Sequence, residues 1–430
     1  MLFCIALCSQ LVCAQANRRV LGIEEMYRLA DENSSSIRSF STEKDALDES
    51  VRAAKSQRLP DFNTSLSFSY LGNGHIWDRD FTNGQSVHFP HFGNNFALEA
   101  SQVIYAGGAI NSGIALAELG QRMGELNLRK NRQDIRFLLT GYYLNIYQLN
   151  NELTVMECNI ELTRQMIRNM ESRRKQGTVL AKDITRYQLQ LENQTLQKTR
   201  IEDARKIMNH QLATTLHLPA ETEIVPDTAL LEKEVETLTE TDWQQLAIRN
   251  HTGLQQSVLS MQMNKQKEKL QKSEMLPKVA LVAADHIDGP VTIEVPALNN
   301  NFNYWYVGLG VKYNLSSLFK SNRKLNQAKI EVRKSETDHA LVQEEVENAV
   351  QAGYVNLLTS LTDLHTQQKS VELANQNYEV TSNRYRNELA LLTDMLDASN
   401  MKLTADMNLV NARIQLIFNY FKMKYITHTL

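Results

Sequence analysis

The stretch WYVGLGVKY, residues Trp305–Tyr313, alternates large apolar side chains with glycine and lysine. Successive side chains of a strand point to opposite faces, so this stretch predicts a strand with one wholly apolar face. SLSFSY at Ser65–Tyr70 and FALEAS at Phe96–Ser101 alternate in the same way, whereas Val279–Ala284 does so more weakly. Such alternation is also typical of soluble sheets, but Tyr and Trp near the strand ends favour a face that meets lipid.

The strands belong to a tandem repeat. A shift of 211 positions superposes the first half of the chain on the second without a gap, so that Tyr143 matches Tyr354. Upstream the shift is 217, and Pro60 then matches Pro277. Because length changes concentrate in exposed loops, the difference between the two shifts predicts a loop over residues 71–95. The predicted divisions are a signal peptide (1–16), a first repeat (17–218), a connector (219–240) and a second repeat (241–430).

Each repeat is expected to contain one helix, two strands around a loop, and two long helices. Apolar residues recur at three- and four-residue spacing in these helices, as in Ile135, Leu138 and Tyr142. On their own such stripes are typical of ordinary cores or coiled coils. At about 1.5 Å per residue the longer helices would each extend about 95 Å. The helices are predicted at about 21–57, 108–172, 180–217, 242–275, 319–384 and 391–425.

The composition and the N-terminus limit the class of protein. The chain has 46 Lys and Arg against 49 Asp and Glu, which argues against a nucleic-acid binder. An apolar leader followed by Ala14 and Ala16 predicts an export signal rather than a buried helix. Three of the four cysteines lie in that leader, so only Cys158 would remain and no intrachain disulfide is expected. Val12 stands where a lipoprotein signal has a small residue, which disfavours a lipid on Cys13.

The strands impose a physical constraint on assembly. Beyond the leader no window holds the 18 or more apolar residues of a membrane-spanning helix, so a membrane-crossing form of this chain needs a closed barrel. Membrane barrels begin at about eight strands, and this chain offers four. Open strand edges in lipid would leave backbone groups unpaired at several kcal/mol each. The chain is therefore predicted to assemble with copies of itself.

The signal, the duplicated strand hairpins, the long helix pairs and two tip sequences together resemble the TolC-like outer-membrane efflux proteins. The tips RRKQGTVLAKDI (173–184) and RYRNELALLTDMLDA (384–398) are similar to the helix–turn–helix segments at the periplasmic end of that family. The resemblance covers nearly the whole mature chain. It implies a mainly α fold with a small β part: long α-helical hairpins form an α-barrel, and four strands join a trimeric twelve-stranded transmembrane β-barrel.

The resemblance also implies partners and site residues. The partners are a homotrimer, outer-membrane lipid, a periplasmic adaptor (membrane fusion) protein and an inner-membrane pump of RND, ABC or MFS type. Asp394 and Asp397 occupy the positions of paired aspartates that form acidic rings at the pore constriction. Asp183 and Tyr385 match positions that help to hold the entrance shut.

Several tip residues have a simpler explanation or depart from the family pattern. Gly177 suits a turn that needs a positive φ angle. A carboxylate ring favours cations, but Asp183 and Asp394 are also placed to cap the helices that they precede. Ala390 stands where the best-known member of the family has an arginine, and Glu388 replaces the glycine expected at the second turn.

The sequence contains no signature of an enzyme. It lacks a phosphate-binding glycine loop, a nucleophile elbow and a paired-cysteine metal site, so no catalysis, cofactor or metal is expected. The predicted function is a passive exit duct of a tripartite efflux or type I secretion system, for small molecules or proteins. The alternative is a periplasmic coiled-coil scaffold or adaptor without a pore, which explains the helices but not the duplicated strand hairpins.

Overall fold

The computed structural model describes residues 18–219, 221–227, 238–294 and 297–430. The predicted signal peptide, Cys13 and much of the connector lie outside these residues. The helices are α1 (Ile23–Asn33), α2 (Ser35–Ser56), α3 (Ala109–Lys175), α4 (Ala181–Thr215), α5 (Glu240–Asn250), α6 (Thr252–Ser273), α7 (Ser317–Arg386) and α8 (Leu392–Ile426). The strands are β1 (Arg18–Leu21), β2 (Asp61–Tyr70), β3 (Gly74–Ile76), β4 (Gln85–Val87), β5 (Phe92–Tyr105), β6 (Glu223–Pro226), β7 (Lys278–Gly289) and β8 (Phe302–Lys312).

The mainly helical fold class and the four long helices are confirmed. The first helix of each repeat, however, is two helices rather than one. The backbone leaves the helical region at Ser34, with ψ of 124°, and at His251, with ψ of 114°. These two residues are 217 positions apart, so the break is a property of the repeat. Among the described residues, no helix is both long and apolar enough to cross a membrane.

The chain divides into two compact units. The first unit comprises the chain up to Thr42, Leu126–Gln255 and Leu341–Leu430. The second unit comprises Glu43–Glu125 and Gln256–Ala340. The first unit therefore contains both helix tips, and the second contains the four main strands.

The core of the first unit packs one aromatic residue of α3 against a short parallel strand pair. β1 pairs with β6, which lies in the segment predicted as a polar connector. Tyr143 is 1% exposed, and its hydroxyl donates to the carbonyl of Leu21 at 2.9 Å and accepts from the amide of Asp227 at 2.8 Å. This tyrosine thus joins the ends of both strands to the long helix.

Two histidines meet in a second part of the first unit. The rings of His251 and His428 lie edge to face, with centroids 4.4 Å apart. Burial lowers the pKa of His428 to about 4, the neighbouring His251 adds to this, and Lys130 contributes less. Asp134 acts in the opposite direction but does not offset the burial. Both rings are therefore neutral near pH 7.

This histidine pair predicts an acid-sensitive first unit. In the unfolded chain His428 titrates near pH 6.5, so between about pH 6.5 and 4 the unfolded state binds more protons, and stability falls as pH falls. We expect the melting midpoint of the helical circular dichroism signal to drop over that range. His428→Asn, which keeps a side chain tolerant of the local φ of 54°, is expected to flatten the dependence. His210→Gln on α4 is the control, and an equal flattening there would contradict the assignment.

The second unit contains an antiparallel four-stranded sheet with the order β2–β5–β7–β8. β2 pairs with β5 so that Asp61 lies opposite Ser101, and β7 pairs with β8 so that Lys278 lies opposite Lys312. Adding 217 and 211 to the first pair gives the second pair, so the two hairpins have identical register. The predicted loop over 71–95 contains a small hairpin of β3 and β4.

Candidate channel entrance and membrane face

The two helix tips are built in the same way at positions 211 residues apart. Gly177 and Glu388 have φ of 78° and 61°, which is the left-handed conformation that ends many helices. In each turn the amide of the next residue donates to a carbonyl five residues back: Thr178 to Arg173 at 3.2 Å, and Leu389 to Arg384 at 2.8 Å. The predicted turn role of Gly177 fits this geometry. Glu388 adopts the same left-handed conformation, which is energetically less favourable for a residue with a side chain than for glycine.

The side chain of Arg173 connects the end of α3 to the second tip. One guanidinium nitrogen lies 2.8 Å from the Glu388 carboxylate, and the guanidinium carbon lies 5.6 Å from the centre of the Tyr385 ring. Arg173 is therefore at once an ion-pair partner and a cation over an aromatic face. The two helical hairpins of one chain are linked at this point.

Tyr385 is buried in the last turn of α7. Burial raises the pKa of its hydroxyl, Arg173 acts in the opposite direction, and Asp183 adds to the rise. Asp183 lies half-buried in the first turn of α4. Among the described residues no hydrogen bond joins Asp183 to Tyr385, so within a single chain the contact of Tyr385 is with Arg173.

The tips also share a small apolar core. Ile167, Met170, Ile184 and Tyr187 are buried on the first hairpin, and Leu392 and Leu396 of the second hairpin pack against them. Burial raises the pKa of Tyr187 as well. This core holds α4 and α8 at the positions from which the candidate aspartates project.

The two candidate constriction residues lie on the first turns of α8. The Asp394 carboxylate accepts from the amide of Leu391 at 3.0 Å, so it caps the helix. Asp397 lies one turn further along the same side and is exposed, as is Asp394. The capping contact occupies one oxygen of Asp394 and leaves its charge at the surface.

The sheet of the second unit exposes a continuous apolar face. Trp305 is 74% exposed, Leu309 is 69% exposed and Phe68 is 64% exposed, although all three lie in regular strands. Exposure of an apolar face of this extent to water is unfavourable, so such a face marks a surface that contacts a partner or lipid. At the ends of the strands the face carries aromatic residues, as the lipid-facing bands of membrane strands do.

Comparison with known proteins identifies the family of the chain. The family model for the outer membrane efflux protein matches residues 26–216 and 243–419, which is most of the chain. The chain belongs to this family. As an outer membrane efflux protein it is an efflux channel of the outer membrane with a large periplasmic helical part, and the scaffold alternative is not favoured.

Solved structures of outer-membrane channels share the fold of this outer membrane efflux protein. The OprN channel has a TM-score of 0.79 at 13% identity, covering 95% of this chain and 90% of its own. VceC of Vibrio cholerae has 0.78 at 12%, covering 94% and 96%, and CmeC of Campylobacter jejuni has 0.76 at 15%, covering 95% and 85%. No curated protein sequence matches the chain significantly. TolC-like channels are in general trimers that work with an adaptor and an inner-membrane pump, and the family is not an enzyme class.

Arg173 is the residue of this efflux protein that sequence reasoning missed. It was part of the first tip sequence, but its partners lie more than 200 positions away and no local pattern connects them. The departures from the family pattern at Ala390 and Glu388 were a signal that could have pointed to Arg173. A missing arginine and a new carboxylate at the second tip indicate that the cation comes from another segment.

Proposed function

We propose that three copies of this chain form a passive exit duct of a tripartite efflux or type I secretion system. Their sheets join in a twelve-stranded barrel, and their helical hairpins enclose a periplasmic tunnel. Cargo, small molecules or proteins, enters from a periplasmic adaptor and an inner-membrane pump of RND, ABC or MFS type. No step in this transport requires catalysis by the chain, because the pump supplies the energy.

One observation carries this proposal: the four-stranded sheet combines an exposed apolar face with two unpaired edges. Among the described residues β2 and β8 each pair on one side only. An exposed apolar face of this kind is stable in contact with lipid. In lipid, however, each unpaired backbone group of a strand edge is energetically costly. Closure with other copies satisfies both requirements. The two repeats, 17–218 and 241–430, would then each supply one strand hairpin and one helical hairpin.

The native mass of the mature protein in mild detergent tests this proposal. We expect a trimer. A monomer that remains folded would contradict the shared barrel, since four strands cannot close alone.

Asp394 and Asp397 would face the axis at the entrance and form acidic rings of like charge. Such rings favour cations over anions at a constriction. The helix cap of Asp394 is compatible with this role because its charge stays at the surface. Asp183, Tyr385 and the turn at Gly177 would hold the closed entrance in place, together with Arg173.

Neutralising Asp397 is expected to weaken cation selectivity. Asp397→Asn removes three charges from a trimer and no capping contact, so the fold should be retained. The reversal potential of single channels in a salt gradient should move toward the unselective value. Asp363→Asn, an exposed aspartate in the middle of α7, is the matched control. A reversal potential that is unchanged by Asp397→Asn would remove this residue from the pore lining.

A further inference from the structure

The boundary between the two repeats provides an internal template for a contact between copies. Inside one chain, the last strand of the first repeat, β5, pairs with the first strand of the second repeat, β7. In this pair Leu98 lies opposite Asp285, and Glu99 lies opposite Ala284. The same order applies between copies. The last strand of the second repeat, β8, would lie beside the first strand of the first repeat, β2, of another copy.

The repeat shifts predict, from the β5–β7 pairing, the register in which β8 of one copy would pair with β2 of another. Residues of β5 move to β8 by adding 211, and residues of β7 move to β2 by subtracting 217. The same shifts relate the two hairpins of the sheet pair by pair, as the pairs Asp61–Ser101 and Lys278–Lys312 show. Leu98 opposite Asp285 thereby becomes Leu309 opposite Phe68.

We infer that β8 of one copy pairs with β2 of the next with Leu309 opposite Phe68, and that opposite charges on α7 and α2 select this edge-to-edge contact. The inference rests on the proposed trimer and specifies how it closes. It places Gly310 opposite Ser67 and Val311 opposite Leu66.

The side chains of the two strands support this register independently. Directly opposed residues of paired strands share one face of the sheet. The inferred pairing places apolar Leu309 and Val311 opposite apolar Phe68 and Leu66, and it places Gly310 opposite Ser67. A slip by one residue would turn the apolar face of one strand toward the polar face of the other.

The helices next to these strands in the sequence differ in charge. α3 and α6 adjoin the pairing inside one chain, whereas α7 and α2 adjoin the inferred pairing between copies. Inside the chain, α3 and α6, with Val332 of α7, line a groove of about 630 Å³. Its charged residues are Arg122, Lys265, Lys269 and Lys272 against Glu118 and Glu268. The repeat shifts carry Glu118 and Arg122 of α3 to Lys329 and Arg333 of α7. They carry Gln262, Lys265 and Gln266 of α6 to Asp45, Asp48 and Glu49 of α2. Two cations thus replace a mixed pair on one helix, and three carboxylates replace two glutamines and a lysine on the other.

These charged groups are available to a partner. No ion pair involves Lys329, Arg333 or Asp45 among the described residues, and all three are exposed. Within the described part of the chain, the one ion pair of Glu49 is with Arg52 of its own helix, and the two side chains are 67% and 75% exposed. Asp48 is bound within the chain by Lys44 at 2.7 Å and Gln121 at 2.8 Å. Asp45 and Glu49 of the next copy are therefore the acceptors for Lys329 and Arg333.

The charges also favour one mode of assembly. A two-fold contact pairs the same edge of both copies, so it would bring no carboxylate of α2 to the cations of α7. Head-to-tail contact brings Lys329 and Arg333 of α7 to Asp45 and Glu49 of α2. Repeated around an axis, head-to-tail contacts generate a closed ring when the rotation closes.

Paired cysteines test the register. In a Cys158→Ser background, which removes the free cysteine of the described chain, Ser67→Cys with Gly310→Cys is expected to give disulfide-linked trimers under mild oxidation. A Cβ at Gly310 meets only the Ala280 carbonyl, at 3.9 Å. The matched control, Ser67→Cys with Gly308→Cys, is offset by two residues, at about 7–8 Å, which is beyond the reach of a disulfide. It should stay unlinked.

The outcomes separate this inference from the proposed function. A trimeric mass with linkage only in the offset pair would overturn the register and leave the trimer intact. A monomeric mass would overturn both.

A charge exchange tests the selecting contact. Arg333→Glu is expected to lower the temperature at which trimers dissociate, and adding Asp45→Arg should restore most of the loss. Lys334→Glu reverses a charge on a different face of the same helical turn, so it should have a smaller effect that Asp45→Arg does not restore. Equal effects of Arg333→Glu with and without Asp45→Arg would contradict the ion pair.

Discussion

Tyr143→Phe is expected to destabilise the first unit by about 0.5–1.5 kcal/mol, because a buried hydroxyl that bonds two backbone groups is lost. The hydroxyl bonds the carbonyl of Leu21 and the amide of Asp227, and these two backbone groups also bond each other at 3.2 Å, so each keeps one partner in the variant. Tyr143→Ala also leaves a cavity, and the total cost rises to about 3–5 kcal/mol. For a unit of this size each kcal/mol lowers the melting midpoint by about 2–4 °C.

The repeat supplies a matched control in Tyr354, which lies 211 positions later. It packs against the apolar cluster that contains Trp243 and Val350, but among the described residues its hydroxyl has no hydrogen bond. Tyr354→Phe should therefore change the melting midpoint little. Thermal melting of the helical circular dichroism signal in detergent measures both variants. Equal shifts for Tyr143→Phe and Tyr354→Phe would show that the hydroxyl contacts do not stabilise the unit.

The regular parts of the fold were predictable because they repeat a local pattern. Alternation identified β8 within one residue of its C-terminal end, and the three- and four-residue spacing located the long helices. The repeat shifts, which are visible in the sequence, also relate the registers of the two hairpins. β7 was harder, since the alternation of Val279–Ala284 is weak, yet the strand extends from Lys278 to Gly289.

The parts that could not be predicted depend on contacts between distant residues. The breaks at Ser34 and His251 fall in the short polar stretches NSSS (33–36) and NHTG (250–253), but such residues also occur inside continuous helices, so they are only a weak signal. β1 and β6 are four residues each and pair across about 200 positions, and β6 lies in a segment that reads as a polar connector. The sequence identified the tip aspartates through a family resemblance, but the contacts of Arg173 follow only from the assembled tips.

The second large effect is expected at the entrance. Arg173→Ala removes the ion pair with Glu388 and the cation over the Tyr385 ring. The ion pair contributes about 0–1 kcal/mol because Glu388 is 69% exposed, and the cation–ring contact contributes about 0.5–1 kcal/mol. Three chains lose these contacts together, so a closed entrance would lose about 3 kcal/mol. That corresponds to about a hundredfold shift toward the open state.

Single-channel conductance in planar bilayers measures this shift. Arg173→Ala should increase the mean conductance, whereas Arg174→Ala, the adjacent exposed arginine, should leave it near the starting value. Glu388→Gly separates the two contacts. It removes the ion pair and relieves the left-handed backbone of a non-glycine residue, yet it leaves Arg173 over Tyr385. A partial increase is expected from this variant.

The comparison of these variants decides how the closed entrance is held. If Arg173→Ala raises conductance and Glu388→Gly does so less, the cation over Tyr385 carries part of the closure, and the arginine missing at Ala390 has been replaced from the first tip. If neither variant differs from Arg174→Ala, the Arg173 contacts stabilise the tip without gating it. Closure would then depend on contacts between chains. The half-buried Asp183, whose charge raises the pKa of Tyr385, is the carboxylate to test there.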